Sequence, residues 1–175
     1  MHKTLIAAGA AAALLTAPAI ASAHVTVNPR EAAPGSFSVL TVRVPNERDN
    51  KGTVKIDLRL PDGFYFLSYK KVPGWKVELT KETLDKPVQL EGFSVDEQYT
   101  RVVWKGNRKK GGIIGPNQFE EFALSVRVPD GQRGDELVFS AIQKYRGGEK
   151  VSWSGPEDSE TPAPRVTLTA PAAAH

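Results

Sequence analysis

The sequence predicts an all-β domain, an antiparallel β-sandwich of the immunoglobulin or fibronectin III (cupredoxin-like) type, and three observations lead there. Apolar and polar residues alternate with a period of two in one segment after another. No apolar stripe with a period of 3.6 residues is sustained beyond residue 23. Several alternating runs close on the same punctuation, a proline followed by Asn or Asp, because proline cannot donate to a ladder and Pro-Asp-Gly sets a turn.

Met1, His2 and Lys3 lead into an apolar stretch from Leu5 to Ile20, followed by the small residues Ala21, Ser22 and Ala23. This order is that of a secretory signal. The stretch is short for a bilayer span, and Pro18 keeps the segment before the cut extended, so cleavage is expected between Ala23 and His24. Residues 1–23 therefore stand outside the fold. The protein is expected in the periplasm or secreted.

The mature chain opens with Val25-Thr26-Val27-Asn28-Pro29, alternating and β-branched, which predicts that its start pairs into a sheet. Alternation then predicts strands over Phe37–Val42, Val54–Leu60 and Phe122–Val128. Their ends read Val44-Pro45-Asn46, Leu60-Pro61-Asp62 and Val128-Pro129-Asp130. Further strands are expected over Trp75–Leu79, Gln98–Trp104, Glu136–Tyr145, Lys150–Trp153 and Arg165–Thr169, separated by Gly, Pro, Asn and Asp clusters. Residues 24–169 thus form one domain. The alanine-rich tail, residues 170–175, carries no packing signal and is expected to fray.

There is no cysteine, so stability must come from a core and not from disulfides. The net charge of +3, with both signs interspersed, gives little field for capturing a polyanion. Lys105, Arg108, Lys109 and Lys110 cluster beside Gly111 and Gly112 and read as a solvated loop tip, so no nucleic-acid partner is expected. Trp75 and Trp104 read as core.

Catalytic chemistry finds few residues to draw on. Of three histidines, His2 lies in the signal and His175 in the tail, so a nucleophile with a histidine base has only His24. Glu120 and Glu121 are adjacent on a strand and point to opposite faces, which argues against a paired-carboxylate hydrolase.

Cleavage would give His24 a free α-amine next to its imidazole. Together these can chelate one metal through the amine nitrogen and Nδ1, a nitrogen set that suits Cu(II). The plain alternative is a first mature residue that frays in solvent. Thioether sites for Cu(I) are excluded, since the only methionine is Met1.

His24-Val25-Thr26-Val27-Asn28-Pro29, Val44-Pro45-Asn46-Glu47, Pro73-Gly74-Trp75, Phe119-Glu120-Glu121-Phe122 and Trp153-Ser154-Gly155-Pro156 with Thr161-Pro162-Ala163-Pro164 resemble, in order, the blocks of the YcnI-like family. These are bacterial extracytoplasmic copper-binding proteins. The resemblance implies a β-sandwich binding one Cu(II) per chain through a single-histidine brace, here His24, with a nearby glutamate falling on Glu121 and a tryptophan falling on Trp153. Glu120 takes the glutamate's place if the register is off by one. By itself Glu121 also reads as an outward-facing strand residue, and Trp153 as a sandwich-core tryptophan.

The expected function is that of a non-enzymatic copper chaperone or carrier in copper homeostasis, acting as a monomer without a membrane anchor. Its partners would be the copper ion and a membrane copper transporter or another copper protein. The rivals are a metal-free structural or adhesive sandwich and a copper-dependent oxidase, which needs a second histidine.

Overall fold

The computed structural model describes residues 24–171. The signal expected over 1–23, and the tail from 172 onward with His175, lie outside them. Among the described residues there are twelve strands: β1 (Thr26–Asn28), β2 (Glu31–Ala32), β3 (Phe37–Pro45), β4 (Thr53–Arg59), β5 (Leu67–Tyr69), β6 (Trp75–Leu90), β7 (Phe93–Gly106), β8 (Phe119–Arg127), β9 (Glu136–Val138), β10 (Ser140–Tyr145), β11 (Lys150–Trp153) and β12 (Arg165–Leu168). The one helical element is a 3-10 turn, Arg108–Lys110.

A four-stranded antiparallel sheet runs β1-β3-β8-β5, and a five-stranded antiparallel sheet runs β11-β10-β4-β7-β6. A small third sheet, β2-β12-β9, contains a parallel pair, β12 with β2. The alternation read from sequence marks the inner faces. Leu40, Val42 and Val44 of β3 and Phe122, Leu124 and Val126 of β8 are buried against Ile56 and Leu58 of β4 and Val102 and Trp104 of β7. Phe122 joins the two sheets, its ring centroid 4.9 Å from Trp104 and 5.0 Å from Trp75. Trp75 and Trp104 are core, as expected.

The proline punctuation does end strands: β3 stops at Pro45, β4 just before Leu60-Pro61 and β8 just before Val128-Pro129. Two expectations need correction. The strands predicted over 75–79 and 98–104 continue into one long hairpin, because Glu91 (φ 49°) and Gly92 (φ 87°) occupy the two left-handed positions of a tight turn. Residues 80–89 are mostly exposed on both faces and so leave no apolar alternation to read. The strand predicted over 136–145 is divided at buried Phe139, where the chain passes from β12 to the five-stranded sheet.

Candidate metal centre

His24 lies two residues before β1, which is pinned to β3 in the register Thr26 to Arg43 and Val27 to Val42. Val25 and Val27 are buried, so two apolar side chains hold the start of this strand in the core. The beginning of the described chain is thus part of a sheet, as its alternation predicts. His24 is half-buried, and its ring centroid lies 5.6 Å from that of Trp153, the planes tilted at 54°.

Trp153 comes from β11 of the opposite sheet and is 2% exposed. Its indole N–H donates to Oε1 of Gln143 at 3.0 Å. Gln143, on β10 and fully buried, donates through Nε2 to the Pro45 carbonyl at 2.8 Å and to the Thr53 hydroxyl at 2.7 Å. Both amide protons and the amide oxygen are engaged, and a flipped amide would set oxygen against oxygen and nitrogen against an N–H. The network therefore has one orientation. It ties β11, β10 and β4 to the end of β3, and it holds the indole ring in place beside His24.

A cavity of about 530 Å³ opens at this contact, lined among others by His24, Glu47, Tyr145, Trp153, Asp158 and Glu160. Burial pushes the Tyr145 phenol above its usual range, which keeps it protonated. Glu47 is presented by the turn after β3. Asn46, 5% exposed, donates to the carbonyls of Lys51 at 2.7 Å and Ile114 at 3.0 Å and accepts from the Arg48 N–H at 2.9 Å. Arg48 also lines the cavity, 5.5 Å over the Tyr145 ring, and Glu149 accepts from Lys51 at 2.7 Å and from Arg48 at 2.8 Å. Those bonds hold the Glu149 carboxyl below the ordinary carboxylate range. A second cavity of about 490 Å³ touches the other side of His24 and includes Arg30, Glu136, Glu157 and Arg165.

Glu121 is elsewhere. It is exposed on β8, paired with Arg43, and β3 stands between β8 and β1, a separation of roughly 10 Å of sheet. Glu120 is half-buried, and its carboxylate accepts from the Glu121 N–H at 3.0 Å. Neither lines a cavity that His24 lines. The structure thus brings His24 and Trp153 together, leaves Glu121 apart, and adds Glu47 and Gln143, which the sequence reading did not single out as site residues. Glu47 stood within a quoted block, beside the Asn46 whose side chain builds its turn. Gln143 carried no signal beyond being a polar residue on the inner face of a strand. Among the described residues, no three His, Cys, Asp or Glu side chains gather as a metal cluster.

Residues 24–168 match the family described as a domain of unknown function, DUF1775. The chain belongs to the DUF1775 family. A relative is the "Copper-binding protein CutI" of Bacillus subtilis (strain 168), 35% identical over 154 residues, covering 88% of this chain and 65% of the relative. The chain thus spans just under two thirds of that curated relative. A crystal structure described as an uncharacterized protein from Nocardia farcinica with an immunoglobulin-like fold superposes with a TM-score of 0.65 at 28% identity, over 83% of this chain and 98% of that one. These likenesses bear out the family resemblance read from the sequence blocks and the immunoglobulin-type sandwich.

Proposed function

We propose that this DUF1775 protein binds one Cu(II) ion at His24 outside the cytoplasm and carries it to another copper protein, without catalysing a reaction. The observation that carries this reading is the half-buried His24 ring set against a tryptophan whose only donor is already spent on Gln143. A histidine fraying at a chain start would not be backed by a locked, buried indole. The relative named as copper-binding supports the choice of metal.

The donors available fit copper. After cleavage at His24, its α-amine and Nδ1 close a chelate ring, and nitrogen with carboxylate oxygen is a set that Cu(II) accepts. With no three-side-chain cluster to hold a metal among the described residues, an α-amine is a needed third donor. For the oxygen we favour Glu47 over Glu121, because Glu47 shares the cavity with His24 and Trp153, and over Asp158 and Glu160 of the same cavity because it stands in a turn fixed by the buried Asn46. Trp153 and the neutral Tyr145 wall the site without ligating. A carrier is favoured over an oxidase because His24 is the sole histidine among the described residues, which leaves a two-histidine brace incomplete.

The test is an EPR spectrum with one equivalent of Cu(II), recorded on protein beginning at His24 and on protein with residues still attached ahead of it. The expected result is hyperfine coupling from two nitrogens in the first and at least tenfold weaker binding in the second. Both nitrogens must shed protons to coordinate, so affinity should fall as the pH is lowered. Glu47→Gln should change the spectrum and weaken binding, and Glu121→Gln should do neither. Equal affinity with and without the preceding residues would remove the amine from the site. A response to Glu121→Gln in place of Glu47→Gln would return the oxygen to β8.

A further inference from the structure

We propose that the outer face of the five-stranded sheet docks on an anionic phospholipid surface through a row of five lysines. The registers set Lys150 of β11 against Lys144 of β10, Lys144 against Lys55 of β4, Lys55 against Lys105 of β7, and Lys105 against Lys76 of β6. All five lie on the face opposite the core, since their strand neighbours Val151, Tyr145, Ile56, Trp104 and Trp75 point inward. With strands about 4.8 Å apart, the row is about 19 Å long, with one ammonium group per strand.

Like charges directly opposite one another weaken a sheet. Only part of this row is compensated within the fold. Asp57 holds Lys55 at 3.0 Å, and Glu78 holds Lys105 at 2.6 Å and Lys76 at 3.4 Å. Lys144 and Lys150 make no ion pair among the described residues. The loops at the same end of the sheet extend the positive charge, with Arg108, Lys109 and Arg146 rimming two shallow depressions of about 590 and 430 Å³ beside Lys76, Lys105 and Lys144. An arrangement that costs stability and is left half-neutralised calls for negative charge from outside the chain.

The chemistry of the row selects among polyanions. Lysine is a strongly hydrated point charge on a flexible stem, without the planar fork of arginine, and it is depleted from protein–protein interfaces. The next outward row, Ser152, Ile142, Asp57, Val103 and Glu78, offers no aromatic ring on which a base could stack. A broad, shallow, lysine-rich face fits a surface of phosphate headgroups, where each unpaired charge raises partitioning about fivefold. Lys150 is followed by Val151, which lines the cavity of His24. Val151 points away from the lysine row, so the cavity and the docking face lie on opposite sides of β11. The registers alone carry the inference, which stands whether or not His24 binds copper.

The experiment is co-sedimentation of the chain from His24 to His175, which contains every described strand, with vesicles of phosphatidylglycerol and phosphatidylcholine or of phosphatidylcholine alone. Binding is expected only to the anionic vesicles, with a steep loss on raising the salt, because exposed charges are screened. Lys144→Glu with Lys150→Glu should weaken it at least tenfold. Lys70→Glu with Arg133→Glu, an equal charge change at exposed positions beside β5 of the other sheet and in the loop before β9, should weaken it less than threefold. Equal binding to neutral vesicles, no binding to anionic vesicles at low salt, or equal losses in the two double variants would each overturn the proposal. So would polyglutamate captured through Lys144 and Lys150 while vesicles are not, which would make the face a site for acidic protein.

Discussion

Two buried tryptophans sit in one sandwich under opposite conditions. Trp104 is fully buried in the apolar centre against Phe122, and its indole N–H has no hydrogen-bond partner among the described residues. Trp153, nearly as buried, gives its N–H to Gln143, which spends its remaining bonds on Pro45 and Thr53. An unmet buried donor costs stability and specifies nothing, whereas a fully met network fixes one geometry. The contrast teaches that Trp104 is retained for its volume and Trp153 for its position. The positioned one is the one that faces His24.

The largest effect should come from the hub of the positioned region. Gln143→Leu keeps the volume but strands the Trp153 N–H and the Pro45 carbonyl and leaves the Thr53 hydroxyl only its bond with Tyr145, and should cost about 3 kcal/mol in urea unfolding at unchanged m-value. A cost below about 1 kcal/mol would mean that water can satisfy these groups and that the network does not set the ring. Trp153→Phe comes next, at about 2 kcal/mol, since it deprives Gln143 Oε1 of its donor. It should also loosen the packing against His24, visible as a shift of the His24 ring resonances. Trp104→Phe should cost less than Trp153→Phe despite the deeper site, because it removes an unpaired donor along with the ring volume. Reversal of that order would erase the distinction between the two tryptophans.

The smallest effect belongs to the solvent-facing side of the five-stranded sheet. There Asp57 accepts from Arg101 at 2.6 Å and from Lys55 at 3.0 Å, and these bonds hold its carboxyl below the ordinary carboxylate range. The depressed value in the folded state means that the contribution is complete above the unfolded value, about 3.9, and is lost as the pH falls through the lower folded value. Asp57→Asn should therefore cost about 1 kcal/mol or less at neutral pH, because Arg101 is part-exposed and screened. The gap from the parent protein should close below about pH 4. A gap constant down to pH 2 would show that Asp57 contributes by packing and not by charge.

How much could be read in advance differs between fold and site, and the reason is separation along the chain. Alternation is a local property, so the inner faces of β3, β4 and β8, the proline strand ends and the anchoring of His24 by Val25 and Val27 were all legible in the sequence. The long hairpin was not, because residues 80–89 face solvent on both sides and follow no apolar rule. Register is not local either. Gln143 meets Pro45 across 98 positions and Thr53 across 90, and nothing near any of them announces the partner.

The site shows the same division. The sequence by itself determined a β-sandwich, its family, and a histidine placed where cleavage could expose an amine beside it. Only the tertiary structure decided that Glu47 and not Glu121 shares a cavity with that histidine, that Trp153 is locked by Gln143, and that five lysines scattered from Lys55 to Lys150 form one row. The physical reason is that a strand dictates which face each residue takes, every second one inward, while the hydrogen-bond ladder between strands dictates which residues become neighbours on that face.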